Sequence, residues 1–278
     1  MATTSYDERR TEIETYFDRT AADAWSALTS DAPVSRIRQT VRAGRDEMRT
    51  TLLSWLPADL TGLRVLDAGC GTGQMAAELA ASEDIDVRTV VTTDDVASSA
   101  AENREWRRGT AGNVLVFKVT GAACDRMHTL EDCERVARKA NAATFTMGIG
   151  LEPCSLPETR RPSFQIGADE MEVGVGVHGE PGATREAMTT ADLAVDRICD
   201  RLFAEMDLAA GDRVALLVNS LGATPMMELL ILARRVHERI NARNASAIRN
   251  FVGHYCTSLD MTGASITLMK LDDELLEL

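Results

Sequence analysis

Apolar positions recur at helical spacing over Val34–Leu56. Ile37, Val41, Met48, Leu52 and Leu56 fall near one face, and Arg36, Arg38, Arg42, Arg45 and Arg49 mostly on the other. Pro57 ends that predicted helix. Arg9–Phe17 and Thr20–Leu28 also read as helical, and Asp31-Ala-Pro33 breaks the pattern before the next helix. Thr129–Asn141 predicts an amphipathic helix with Leu130, Cys133, Val136 and Ala137 inward. Thr190–Met206 predicts another, with Leu193, Ala194, Ile198, Leu202 and Phe203 on the buried stripe, and a further helix is predicted over Met226–Asn241. Short β-rich runs predict strands at Leu63–Asp67, Val87–Thr92, Asn113–Val119, Phe164–Ile166, Met171–Val177, Val214–Asn219, Phe251–Tyr255 and Ser265–Lys270.

Composition narrows the function classes. The chain has 278 residues, enough for one large or two ordinary domains, and 45% of them are apolar. Aromatics are only 4%, so the core is expected to be aliphatic with Met as filler. A formal charge of −13 argues against nucleic-acid partners and suits a cytoplasmic protein that handles small molecules. Apolar runs such as Met226–Ala233 are too short to cross a bilayer, and the polar start MATTSYDERR has no secretory core, so no membrane association is expected. Cys70, Cys124, Cys133, Cys154, Cys199 and Cys256 contain no C-x-x-C pair, so neither a metal site nor a disulfide framework is expected.

Two stretches carry candidate chemistry. The first is Asp67-Ala-Gly-Cys-Gly-Thr-Gly73, a glycine-rich turn between a predicted strand and a predicted helix. Gly69, Gly71 and Gly73 let backbone approach a cofactor closely, and a helix N-terminus follows them. Asp94, about 20 residues on, sits where an acidic side chain can bind ribose hydroxyls. Residues 4–82, above all VLDAGCGTGQMAAELA and the lead-in Tyr16–Trp25, resemble S-adenosylmethionine-dependent methyltransferases of the magnesium-protoporphyrin O-methyltransferase type. That resemblance implies S-adenosylmethionine contacts from Asp67, Gly69, Gly71 and Gly73. A plain strand–helix connector is the alternative.

The second stretch is Val173–Gly182, VGVGVHGEPG, where His178 sits among glycines just after a strand-like alternation. Together with IDVRTVVTTDDVASS, MGIGLEPCSLPETRRPSFQIGADEME, GDRVALLVNSLGATPMMEL and NFVGHYCTSLDMTGASITLMKLDDELLEL, it resembles the substrate-binding subunit of the dihydroxyacetone (glycerone) kinases from Asp84 to Leu278. The resemblance implies that His178, beside Gly179, adds covalently to the carbonyl carbon of a short ketose or aldehyde. It also implies a phosphoryl donor, ADP or ATP, carried by a separate nucleotide-binding kinase subunit, and a homodimer. Glu180 is read as orienting the turn. The family's aspartate base does not occur here, and Gln74 falls in its place; a glutamine amide cannot accept the hydroxyl proton. Arg107-Arg108-Gly109 reads either as a phosphate contact or as a solvated turn.

The expected fold is α/β: a Rossmann-like parallel sheet flanked by helices, joined to a second α/β region of the dihydroxyacetone kinase type. Residues 1–144 are expected to form the first domain (1–83 methyltransferase-like, 84–144 kinase-like) and 145–278 the second. A matched junction near Ser82–Ile85 requires residues 63–96 to share one sheet with Asn113–Val119. The main functional reading is a ketose-binding subunit whose catalytic base is lost. A methyltransferase fragment and an inert chimera of the two families are the alternatives.

Overall fold

Among the described residues six strands form: β1 (Thr144–Glu152), β2 (Glu170–Val173), β3 (Thr184–Ala187), β4 (Arg213–Ser220), β5 (Ser246–Gly253) and β6 (Thr262–Leu271). The structure, a computed structural model, describes residues 36–278 apart from 64, 71, 72, 84, 127, 156–161, 179 and 181. The predicted helices at 9–17 and 20–28 lie outside the described residues. The strands join in the order β3-β2-β1-β6-β4-β5. Only β4 and β5 run parallel; the other neighbours are antiparallel. The expected parallel Rossmann-like sheet is therefore corrected to one mixed sheet. The parallel pair is the one joined through a helix long enough for a crossover, α6 (Met226–Asn241).

Strand β4 shows how the sheet is covered on both faces. Val214, Leu216 and Val218 point into a cluster with Val195, Ile198 and Leu202 of α5 (Ala191–Met206) and Leu229, Val236 and Ile240 of α6. Ala215 and Leu217 point the other way. They meet Leu115, Val116 and Val119 of α3 (Asn113–Asp125) and Cys133, Val136 and Ala140 of α4 (Leu130–Ala142). This is the period-two alternation of a strand buried on both sides. Thr129 and Thr190 cap α4 and α5 by accepting from the backbone N–H three residues on.

Several predicted elements change. Asn113–Val119, read as a strand, is the first half of α3. Its Leu115, Val116, Val119 and Ala123 form a helical stripe against the sheet rather than a pairing edge. Leu63–Asp67 and Val87–Thr92 form no strand in the described residues. Leu63, Val65, Val87 and Val91 are exposed instead, because no sheet neighbour takes up their backbone groups. The continuous sheet required of a matched junction is thus not formed. Helices α3 and α4 instead cover one face of the sheet, while Asp95 bridges Thr146 at the edge of β1 and Val96 packs on the opposite face. Phe164–Ile166 likewise pairs with nothing as a strand, and β2 pairs with β1 and β3. In α1 (Arg36–Trp55) the stripe expected inward is open at Met48, and Leu193 of α5 also faces out. Helix α2 (Gln74–Glu83) follows the glycine turn, and α7 (Asp273–Glu277) closes the chain.

The turn after β4 makes one sharp demand. Gly222 has φ +145°, and a Cβ there would lie 2.0 Å from the Leu259 carbonyl oxygen. Gly222→Ala combines backbone strain with overpacking and is expected to cost roughly 2–4 kcal/mol. Urea denaturation measures it; a loss under about 1 kcal/mol would show that the turn relaxes.

Candidate functional site

His178 sits at the tip of the loop that joins β2 to β3. Its side chain is 68% exposed, and Glu180 is buried beneath it. One Glu180 oxygen, Oε2, accepts the His178 backbone N–H at 2.9 Å. The other, Oε1, lies 3.3 Å from His178 Nδ1. The hydrogen bond to Glu180 holds the imidazole above its ordinary pKa, against burial and the nearby Arg108 charge. Burial pushes Glu180 up, but His178 and Arg108 outweigh it and the carboxyl lies below its ordinary value. With Nδ1 turned to a carboxylate, Nε2 is the nitrogen available to a ligand.

The loop can lie this close to the sheet because of particular glycines. A Cβ on Gly150 would sit 3.0 Å from Val175 Cγ1, and one on Gly148 would sit 3.1 Å from the Val175 carbonyl. A Cβ on Gly176 would meet Glu180 Oε2 at 2.1 Å and Arg108 Nη1 at 2.7 Å. The missing side chains are what allow the charged groups to gather under His178.

Arg107-Arg108 is neither a phosphate contact nor a solvated turn. Arg107 is buried, with its Nη2 3.0 Å from both Glu205 carboxylate oxygens. Arg108 donates through Nε to Asp95 Oδ2 at 2.9 Å, and through Nη2 to the same oxygen and to the Gly174 carbonyl. Asp95 Oδ1 accepts from Ala97 N–H at 3.0 Å. Sequence reasoning missed this pair. Its signal was the Asp94-Asp95 doublet inside an otherwise uncharged TTDDVASS run, a context that fits burial better than solvent.

Of the proposed cofactor residues, Asp67, Gly69, Gly73 and Asp94 lie among the described residues. Asp67 is half-buried, and burial raises its carboxyl above the ordinary value. Gly69 and Gly73 lie in the turn before α2 with φ +77° and +72°, and Gly71 lies outside the described residues. Asp94 is fully buried. One of its oxygens accepts from Thr110 N–H at 2.9 Å, and the other from Thr110 Oγ1 at 2.7 Å and Gly112 N–H at 2.9 Å. It fastens the turn that opens α3 and presents no oxygen to a ribose, which corrects the expected role. Asp94 as placed therefore does not fit the ribose contact of S-adenosylmethionine. Gly179, expected beside the ketose, also lies outside the described residues.

Asn219 and Thr224 are likewise absorbed by the fold. Asn219 bonds the backbone of Tyr255 and Cys256, and Thr224 bonds that of Gly263. Among the described residues no cluster of three metal-ligating side chains occurs, and no helix is long and apolar enough to cross a membrane.

Comparison with known proteins places these features. The Dak1 domain model matches residues 72–278. It starts inside the glycine turn, so helix α2 falls within the match and the junction expected near Ser82–Ile85 is not supported. These matches also give no support to the methyltransferase reading of residues 4–82. The dihydroxyacetone-binding subunit DhaK of the PTS-dependent dihydroxyacetone kinase 1 of Listeria innocua is 40% identical over 226 residues, covering 77% of this chain and 69% of that one. DhaK of the PEP-dependent dihydroxyacetone kinase of Escherichia coli is 40% identical over 229 residues, covering 74% and 64%. The solved dihydroxyacetone kinase operon co-activator Dha-DhaQ superposes with a TM-score of 0.69 at 30% identity, covering 77% of this chain and 67% of its own. The chain thus spans about two thirds of the length of these relatives. The mixed sheet, the covered faces and the histidine loop all lie inside the matched region, and the chain belongs to the Dak1 domain family.

Proposed function

We propose that this chain is a dihydroxyacetone-binding subunit that holds short ketoses and aldehydes covalently on His178. The observation that carries the reading is the approach of Nδ1 to the buried Glu180 carboxylate, which favours the tautomer with a lone pair on Nε2. That lone pair attacks the carbonyl carbon, and the C=O π pair moves to oxygen. The oxygen takes a proton as the ring gives up the one on Nδ1, so the product is a neutral hemiaminal. Glu180 is placed to share the Nδ1 proton. Polyols such as glycerol have no carbonyl and are excluded by the chemistry itself. The phosphoryl group comes from a separate partner subunit, in line with the naming of the Listeria and Escherichia relatives as dihydroxyacetone-binding subunits of PTS- and PEP-dependent kinases.

A second reading follows from one residue. Gln74 opens α2 at the place where the family resemblance calls for a carboxylate base. A chain that binds the ketose but leaves its hydroxyl unactivated acts as a ketose-responsive regulator, in line with the co-activator it superposes on.

The test is carbon NMR with dihydroxyacetone labelled at its carbonyl. Binding replaces the carbonyl resonance with a protein-bound tetrahedral carbon at one equivalent per chain. A bound fraction with only an intact carbonyl, or no bound ketose at saturation, would overturn the covalent reading. Added kinase partner with its phosphoryl donor, ATP or phosphoenolpyruvate, then separates subunit from regulator by whether the bound ketose becomes phosphorylated.

A further inference from the structure

We propose that Arg108 is a positioning residue for His178: anchored on Asp95 and on the Gly174 carbonyl, it fixes a positive charge beside the buried Glu180 carboxylate that faces the imidazole. The inference deepens the ketose-binding reading and rests on it for its functional meaning.

The geometry runs inward from the ring in three steps. Glu180 meets His178 at both the backbone N–H and Nδ1. Arg108 Nη1 and Glu180 Oε2 both lie within 2.7 Å of the point where a Cβ on Gly176 would stand, so they converge on the one residue that has no side chain to keep them apart. Behind them Asp95 takes two guanidinium N–H groups on a single oxygen. The Arg108 and Asp95 side chains are 8% and 2% exposed, against 68% for His178. A planar fork held at one end by a buried carboxylate and at the side by a main-chain carbonyl has little rotational freedom, so its charge stays in one place beside the second carboxylate. The cost of burying three charges near one another makes a purely incidental arrangement unfavourable.

The electrostatics agree with this placement. The charged groups that act on His178 are Glu180, which raises its pKa, and Arg108, which lowers it. Those that favour an ionised Glu180 are the same His178 and Arg108. Burial pushes Asp95 up and Arg108 opposes it, with Asp94 adding a smaller upward push. Arg108 thus keeps Glu180 charged while holding back protonation of the ring, and a nucleophilic imidazole needs both.

The test reads the imidazole first and the ketose second. His178 is followed by NMR titration in the wild type, Arg108→Met and Arg108→Lys. In Arg108→Met the titration midpoint is expected to move upward, and the pH at which the labelled ketose adduct forms is expected to move up with it. Arg108→Lys, which keeps the charge, is expected to restore both. A folded Arg108→Met whose midpoint is unmoved or lowered would overturn the proposal. Should that variant fail to fold, Arg108→Gln takes its place, since its amide can still donate to Asp95 while lacking the charge. If neither neutral variant folds while Arg108→Lys does, Arg108 serves the fold alone and the proposal is overturned. Because the titration needs no ketose, a wild type that forms no adduct refutes the ketose reading while leaving the midpoint shift to decide the role of Arg108.

Discussion

Glu180→Gln is expected to weaken ketose capture about tenfold or more and to move its pH dependence toward acid. The buried carboxylate accepts from the His178 backbone N–H and faces Nδ1 with its second oxygen. An amide offers one acceptor and one donor to those two positions, so one bond is lost and a donor meets a donor. Hydrogen bonds to charged groups are worth about 1.5–3 kcal/mol, which sets the tenfold scale. The sign of the pH effect follows from the direction of the shift. Glu180 raises the imidazole above its ordinary pKa, so in the wild type the neutral, nucleophilic ring is reached only as pH rises through that raised value. Without the negative charge the midpoint falls and the acid limb of adduct formation moves down. His178→Ala removes the adduct altogether. Labelled-ketose NMR across pH measures all three proteins; a Glu180→Gln limb that moves up or stays in place would refute the assignment.

Asp94→Ala is expected to destabilise the fold by roughly 3–5 kcal/mol. Asp94 is fully buried, and the donors that converge on it are Thr110 N–H, Thr110 Oγ1 and Gly112 N–H. Alanine leaves them without an acceptor at the start of α3, and stranded buried donors cost about 1–3 kcal/mol each before relaxation. A Cβ on Gly112 would fall 2.5 Å from the Asp94 carboxyl, so the turn is built tightly around that side chain. Thermal or urea unfolding checks it. A ribose-binding aspartate, which has an oxygen to spare for solvent, would leave stability nearly unchanged on removal, so the same measurement decides between the two roles.

Legibility in the sequence followed local chemistry. Met226–Asn241 was readable to the residue because Pro225 starts the helix and Leu229, Leu232, Ala233, Val236 and Ile240 repeat on one face. Thr129 and Thr190, read as the first residues of their helices, are the caps just ahead of them. Asn113–Val119 misled because Val114, Val116 and Val119 favour strands locally. The tertiary setting overrode that preference by giving one helical face the apolar pocket made by α4, Ala215, Leu217 and Met269. Strand β1 was not predicted, since Gly148 and Gly150 interrupt its apolar run, and the close packing of Val175 and Phe164 upon them accounts for their place there. At the site, His178 and Glu180 stood out among their glycines. Asp95 and Arg108 did not, since their meaning depends on a loop far along the chain that folds back over them.

The Asp94-Asp95 doublet has a consequence for how this molecule could be divided. One carboxylate fastens the start of the helical layer, and its immediate neighbour secures the arginine beneath the histidine loop. The two halves of the chain are riveted there by the main chain, where Thr146 N–H donates to the Asp94 carbonyl and Val96 N–H to that of Thr146, and by Arg108 on the Gly174 carbonyl. A cut at 144 would keep every strand yet sever the imidazole from the charges that condition it, so the boundary drawn there is a seam in the chain and not a line of functional independence.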